Sequence, residues 1–369
     1  MDIASLLAKM IRDGVFALTA NDPRIQFGTP RRQYLGATLL PERQTENAFT
    51  DSEIRYRSLL ANAGSRYSPV QRKNNGQLVG QFQVTLGNQD IGSEFAGPVF
   101  DALILLLGRT GAAPSIQAEA EIIRFTDLTI VRPLVELTEL TRWQALIDGQ
   151  VEIYGDNGFH DVVTYPNTTG QRVNTVADWT DPDANIWDDI LERHQFLVDQ
   201  GYQVNRIITS RRVVGFISKN KGVATRTGRL IIIGGASETL TGSVALADIN
   251  QALSNDGLPP IETYDLRYQT TSSGGRFMAD DVMIFVCDTG RDETIDLGPD
   301  AGQRFITGTL GYMAIGRAAG QTTKGRIVHV NPFLTTKPPR LEAEGWQTSM
   351  PVLQDPQAFD VLKGIGRHF

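Results

Sequence analysis

Two pairs of adjacent carboxylates, Asp188-Asp189 and Asp280-Asp281, are the residues of this 369-residue sequence best suited to acid–base chemistry. Glycoside hydrolysis, for example, needs two carboxylates at a set separation. The first pair stands at the start of a helical pattern, where acidic residues stabilise the positive helix end. The second pair precedes a strand pattern, where a solvated turn is the ordinary role. We predict structural roles for both pairs, and a carboxylate-dependent hydrolase using Asp280 or Asp281 is kept only as an alternative.

Other residues that could bind phosphate, a dinucleotide or zinc lack the spacing that these ligands need. Gly320-Gln-Thr-Thr-Lys324-Gly325 has a lysine without the glycine spacing of a phosphate-binding loop. Gly234-Gly235 is interpreted as a turn after a strand, because a dinucleotide site needs a third glycine and a following helix. We predict no enzyme activity and no cofactor. The histidines are scattered, with His194 packed on a helix face and none at zinc-binding spacing: His160, His194, His329 and His368.

The composition is that of an ordinary globular protein with an acidic balance. The net charge is −7, and basic residues occur only in small groups, so sequence-specific binding to nucleic acid is not expected. This charge is compatible with a protein that encloses DNA without binding it tightly. Cys287 is the single cysteine, which excludes an intrachain disulfide and indicates a reducing compartment. The apolar runs are too short for a membrane span, so we expect a soluble protein made in the cytoplasm.

Extended segments precede the regular elements. Residues 21–50 lack any persistent period and predict an extended arm, which is uncommon inside a compact domain. Residues 66–73 and 77–86 flank Asn74-Asn75-Gly76, and Asn-Gly is typical of a tight hairpin turn. We predict a long two-stranded ribbon that needs a surface to lie on, because isolated ribbons are marginally stable. The candidate inter-subunit contact residues are Arg66, Arg72, Lys73, Asn75 and Gly76.

Conventional elements follow the ribbon. The pattern predicts a short apolar helix over 99–107, a long amphipathic helix over 129–148 capped by Gly149, and a hairpin over 151–165. Pro133 either occupies the first turn of the long helix or kinks it. Asp183 or Asn185 starts another helix, residues 204–209 form a buried strand, and Ser210 caps the next helix. Further short strands and a helix over 245–254 complete the pattern.

Three stretches resemble the major capsid proteins of lambda-like tailed phages, the gene-E type, which have the Hong Kong 97 shell fold. The first runs from Asp178-Trp-Thr-Asp-Pro-Asp183 through Val204-Asn-Arg-Ile-Ile-Thr-Ser210. The second, Leu140-Thr-Arg-Trp-Gln-Ala-Leu-Ile-Asp-Gly149, resembles the end of the family's spine helix. The third is the closing segment from Lys337-Pro-Pro-Arg-Leu-Glu342 through Ser349-Met-Pro-Val-Leu-Gln-Asp-Pro-Gln-Ala358. The resemblance extends from about residue 33 to the end.

The resemblance implies an α+β fold with four parts. These are an N-terminal arm over 1–65, an extended loop over 66–92, a peripheral domain over 93–177 and 321–369 with a spine helix over 129–148, and an axial domain over 178–320. It also implies a structural protein that assembles into the hexamers and pentamers of an icosahedral shell around double-stranded DNA, located in the virion capsid. A separate scaffolding protein, a portal and a decoration protein are implied partners. A cellular cargo-enclosing shell of the same fold is the other alternative.

Overall fold

The computed structural model describes most of the chain. The described residues are 3–21, 34–56, 76–96, 101–102, 104–105, 114–154, 160–165, 171–228, 230–233, 237–240, 243–270, 274–288, 294–295, 304–305, 310–333 and 340–366.

The N-terminal part contains helices as well as strands. Helices α1 (Ile3–Arg12), α2 (Val15–Asn21) and α3 (Gly36–Leu39) precede strands β1 (Glu42–Gln44) and β2 (Ala48–Tyr56). Leu6, Leu7 and Met10 of α1 are buried in a cluster that includes Ile122 and Leu341. The first residues are therefore anchored on the body of their own chain, because α1 is amphipathic and its apolar face packs there.

A long helical run forms the spine of the molecule. Strands β3 (Gly76–Thr85) and β4 (Gly87–Ala96) lead to α4 (Pro114–Thr126), a π-helical turn (Asp127–Val131) and α5 (Arg132–Ile147). The N–H of Arg132 bonds to the carbonyl of Asp127, five residues back. Pro133 has no N–H to donate, and a widened turn before it lets the helical backbone continue. The spine is thus longer than the predicted 129–148, and Gly149 has the expected positive φ of 69° after its end.

The second half alternates strands and short helices. The elements are β5 (Gln150–Tyr154), β6 (His160–Thr164), β7 (Val173–Asn174), α6 (Ile186–Asp199), β8 (Gln203–Thr209), α7 (Arg211–Lys219), α8 (Lys221–Arg226), β9 (Leu230–Ile233), β10 (Ser237–Leu240), α9 (Leu246–Asn255), β11 (Ile261–Thr263), β12 (Arg267–Gln269), β13 (Gly274–Arg276), β14 (Met283–Asp288), β15 (Thr294–Ile295), β16 (Arg304–Phe305), β17 (Gly311–Ile315), β18 (Ile327–Phe333), β19 (Arg340–Leu353) and β20 (Phe359–Lys363).

Several local predictions are confirmed. The hairpin over 151–165 is β5 paired with β6, with Val151 opposite Val163. Ser210 caps α7 by accepting a hydrogen bond from the N–H of Val213 at 3.2 Å. Asn185 is the N-cap residue of α6. The four described residues of the helix expected over 99–107 are helical.

Two five-stranded sheets organise these elements. In the first sheet, β19 pairs with β4 along one edge and with β17 and β18 along the other, and β1 adds to β17. The second sheet has the order β11-β8-β14-β20-β7 and is packed against α6, α7 and α9. β17 lies in the first sheet and β20 in the second. The expected domain boundaries stay a prediction.

The spine helix connects the two sheets. Its first part lies close over β19. Gly345 of β19 has no side chain, and a Cβ at this position would contact Ile130 and Leu134 of the helical run. Its last turn is buried in the core of the second sheet through Trp143, Leu146 and Ile147. One rigid element therefore sets the position of the first sheet relative to the second.

Candidate assembly elements

The most unusual feature of the described structure is a two-stranded ribbon formed by β2 and β3. The strands are antiparallel, with Ala48 opposite Thr85 at one end and Tyr56 opposite Gly76 at the other. Among the described elements, both strands pack appreciably only on each other. At about 3.3 Å per residue, ten residues of β3 span roughly 33 Å. The ribbon is therefore a long projection from the body.

The ribbon uses a different strand from the one that we predicted. β3 corresponds to the expected strand over 77–86, but its described partner is β2, which we had placed in an extended arm. Arg66, Arg72, Lys73 and Asn75 lie outside the described residues, so the Asn-Gly turn stays a prediction. Gly76 is the first residue of β3. The ribbon partner was missed because the Asn-Gly pair gave a stronger local signal than the strand pattern of β2.

The ribbon carries a bulge near its middle. Glu53 is opposite Gly80 and Ile54 is opposite Leu78, so β3 has one more residue than β2 between these two pairs. A bulge of this kind bends the strand that carries the extra residue and increases the twist of the pair.

The base of the ribbon is fixed to the first sheet. The Asn47 side chain donates to the carbonyl of Arg317 at 2.9 Å and accepts from the N–H of the same residue at 2.6 Å. Glu46 forms ion pairs with Arg317 at 3.2 Å and Lys324 at 3.0 Å. The hydrogen bond from Lys324 holds the pKa of Glu46 below its ordinary value. Leu86, across from Asn47, is buried beside Ala145, Tyr312 and Met350.

These contacts give the glycine-rich segment a structural role. Lys324 binds a carboxylate at the ribbon base, in agreement with the prediction that Gly320 to Gly325 is no phosphate loop. Gly234 and Gly235 lie outside the described residues, between β9 and β10. Those two strands pair as an antiparallel hairpin, with Ile233 opposite Ser237. A strand and not a helix follows the glycines, and the turn at the glycines themselves stays a prediction.

The two carboxylate pairs are engaged in local structure. Asp280 pairs with Arg212 at 3.2 Å, and its carbonyl accepts from Ser210 at 2.6 Å. Asp281 is buried in the turn before β14, and its carbonyl accepts from the N–H of Ile365. At the start of α6, Asp189 accepts from the indole N–H of Trp179 at 2.8 Å.

A buried charge network, absent from our sequence-based expectations, joins the spine helix to the segment around α3 and β1. Glu139, fully buried, accepts from the Gly36 N–H at 2.9 Å, the Trp143 indole at 2.7 Å and the Tyr264 hydroxyl at 2.7 Å. Arg142, 1% exposed, bonds Glu139 at 3.2 Å. Burial lowers the pKa of the Arg142 guanidinium, while nearby carboxylates oppose this effect.

The same network continues to the first sheet. Glu42 of β1 lies 3.6 Å from Arg142 and also binds Arg326. Two carboxylates and two guanidinium groups therefore balance in charge. A buried charge is strongly destabilising when its partner is lost. The network fixes where the segment of residues 34–44 lies against the spine. Glu139 could have been identified from its helical spacing, four residues before Trp143 and seven before Leu146, which puts a carboxylate on an apolar face.

A second buried carboxylate lies in the second sheet. Asp360 of β20 is fully buried, and the guanidinium of Arg193 lies 3.8 Å from it. Burial raises the pKa of Asp360 to about 6, although Arg193 opposes the shift. Burial, with Asp355 and Asp360 nearby, also raises the pKa of the Cys287 thiol to about 12. This cysteine is therefore a packed thiol and not a nucleophile.

The described residues contain no group of three or more potential metal ligands. No helix in the described part of the chain is long and apolar enough to cross a membrane.

Comparison with known proteins gives similarity in structure but not in sequence. No protein-family model matches the chain, and no curated protein matches it. A phage-related protein from Bordetella bronchiseptica RB50 is similar in structure at a TM-score of 0.50, with 12% identity over 96% of this chain and 98% of that one.

Two further solved structures are more weakly similar, and the fold assignment does not depend on them. A protein assigned as a prophage capsid protein of Escherichia coli CFT073 has a TM-score of 0.49 and 14% identity over 98% and 99% of the two chains. The capsid of Myoviridae phage XM1 has a TM-score of 0.43 and 10% identity over 93% and 96%. The likeness to the Bordetella protein shows the fold: this chain has the expected α+β fold of the Hong Kong 97 type.

Proposed function

We propose that this protein is the major capsid protein of a tailed phage, whose copies form the hexamers and pentamers of an icosahedral shell around double-stranded DNA. The observation that carries the proposal is the β2–β3 ribbon, fixed at its base and packed along its length only on itself. The fold shared with a phage-related protein supports the same function.

The ribbon needs a partner for a physical reason. A two-stranded ribbon alone in water is marginally stable, and among the described elements this one packs appreciably only on itself. A second copy of the chain offers a surface that is present whenever the protein is made. In a closed lattice each copy gives and receives such a contact, so the loss of one copy requires several contacts to break together.

The rest of the body suits a shell subunit. The second sheet and its helices would form the axial domain around the five-fold and six-fold positions, and the first sheet with the spine would form the peripheral domain. A net charge of −7 would repel packaged DNA and leave it free for ejection. A separate scaffolding protein, a portal and a decoration protein are proposed partners.

The direct test is assembly of the expressed full-length protein, alone and with the scaffolding protein encoded beside it. Size-exclusion chromatography and negative-stain microscopy should show closed particles in at least one of these conditions. A variant in which Asn-Gly replaces residues 51–82 should keep the thermal midpoint of the body and form no particles. Monomers under every condition, or normal particles from the shortened variant, would contradict the proposal.

A further inference from the structure

An open groove lies on the first sheet, on the face where β4 and β19 pair. Its volume is about 370 Å³, and the segment after β17 forms one side of it. Asp90 of β4 is opposite Trp346 of β19. Two residues further along, Gly92 is opposite Glu344, so all four residues share one face of the sheet. The groove falls within the range of roughly 300–1,000 Å³ that proteins use to bind small molecules.

The groove has a wall and an open floor that do not depend on its charges. The indole N–H of Trp346 donates to the carbonyl of Ala319 at 3.2 Å, which holds the ring in place as one wall. Gly92 has no side chain, and a Cβ at this position would have nothing within 4 Å. The cavity therefore exists because a glycine occupies a strand position where any other residue would fill the space.

Two carboxylates in the groove are open to a ligand. Asp90 and Glu344 are exposed, and the cations that the structure describes form no ion pair with either. Arg317 and Lys324, the basic residues of the segment after β17, bind Glu46 instead. Asp90 and Glu344 are diagonal neighbours across the two strands, which places them roughly 7 Å apart.

The groups in the groove select a particular chemistry. Two carboxylates accept hydrogen bonds only, and an alkylammonium group donates them only. The face of an aromatic ring attracts an ammonium group, and the methylene groups next to such a charge pack on apolar surface. Two separated carboxylates beside one ring therefore match a ligand with two ammonium groups joined by a short alkyl chain.

We infer that this groove binds a free aliphatic polyamine, with one ammonium group at Asp90, a second at Glu344 and the alkyl chain against Trp346. The inference goes beyond the proposed shell function and does not depend on it. Because both ion pairs are exposed, the dissociation constant should be on the order of 1 mM at low ionic strength. Added salt should weaken the binding.

Isothermal titration of the unassembled full-length protein with putrescine, a diamine, tests the site. Asp90→Asn with Glu344→Gln removes both charges and should weaken binding by about tenfold or more. Gly92→Val keeps both charges and fills the groove, and it should weaken binding to a similar extent, on the order of tenfold. Glu192→Gln with Asp199→Asn removes the same charge from the exposed side of α6 and should bind putrescine like the wild type.

Titration with n-butylamine, which has one ammonium group, distinguishes a polyamine from a single cationic side chain. It should bind about tenfold more weakly than putrescine, because only one carboxylate is used. Equal affinity for the two amines would overturn the assignment to a polyamine. Circular dichroism and the thermal midpoint show whether each variant folds.

Three further results would also overturn the inference. The first is a wild type that does not bind putrescine at millimolar concentrations in low salt. The second is a folded Asp90→Asn, Glu344→Gln protein that binds like the wild type. The third is a folded Gly92→Val protein with unchanged affinity, which would mean that putrescine responds to charge and not to the groove. Each of these results leaves the proposed shell function untouched, because that function is tested by particle assembly.

Discussion

Asp360→Asn should make the protein more stable at neutral pH, although it removes one member of an ion pair. The ordinary pKa of an aspartate is 3.8, and burial raises that of Asp360 to about 6. Between pH 3.8 and about pH 6, the carboxyl of Asp360 is therefore mostly protonated in the native state and mostly ionised in the unfolded chain. Stability contributed by the neutral carboxyl is present below about pH 4 and is lost as the pH rises through about 6.

The magnitude follows from the difference between the two pKa values. A difference of about 2, at about 1.4 kcal/mol for each tenfold change, amounts to about 3 kcal/mol of destabilisation at pH 7.5. Asparagine stays neutral at every pH and avoids this cost. Arg193 would not be left as an isolated buried charge, because it also binds Glu192 at 2.6 Å and lies over the ring of Phe196.

Urea unfolding of the unassembled protein at pH 4.5 and pH 7.5 measures the effect. The Asn variant should be more stable than the wild type by up to about 3 kcal/mol at pH 7.5, and the gap should shrink towards pH 4.5. Asp199→Asn on the exposed side of α6 is the control and should change little at either pH. An Asn variant less stable than the wild type at pH 7.5 would mean that the Arg193 pair outweighs desolvation, and the reasoning would be refuted.

Three other perturbations test the packing and the ribbon base. Glu139→Gln should lower the free energy of unfolding by about 3–5 kcal/mol, because buried Arg142 would lose the nearer of its two carboxylates; a loss below about 1 kcal/mol in urea would contradict the network. Gly345→Ala should cost about 1–3 kcal/mol by pushing the spine off β19, whereas Gly215→Ala in α7, with open space around it, should cost nothing. Asn47→Ala should leave the thermal midpoint nearly unchanged and reduce shell yield, because it frees only the ribbon base; unchanged yield would argue against a need for that anchor.

Local signals predicted much of the fold because they act within a few residues. Ser210 and Gly149 mark helix ends through their own hydrogen bonding and backbone conformation, and the structure has those ends. The hairpin of β5 and β6 follows from two short β-branched runs around a glycine-rich turn. The expected four-part order came from three short motifs and stays a prediction.

Long-range pairing could not be predicted in the same way. The partner of β3 is a strand that ends twenty residues earlier, and only the register of the folded chain identifies it. Strand β17 joins the first sheet and β20 the second, which no local pattern records. Helical spacing places Glu139 on the face of Trp143 and Leu146, but only the folded chain shows that Tyr264, far along the chain, is one of its partners.

Cryo-electron microscopy of particles assembled from the full chain tests the central claim most directly. The account predicts a closed icosahedral shell in which the β2–β3 ribbon of each subunit lies against an adjacent subunit. A closed shell in which each ribbon folds back onto its own subunit, with no contact to a neighbour, would contradict it.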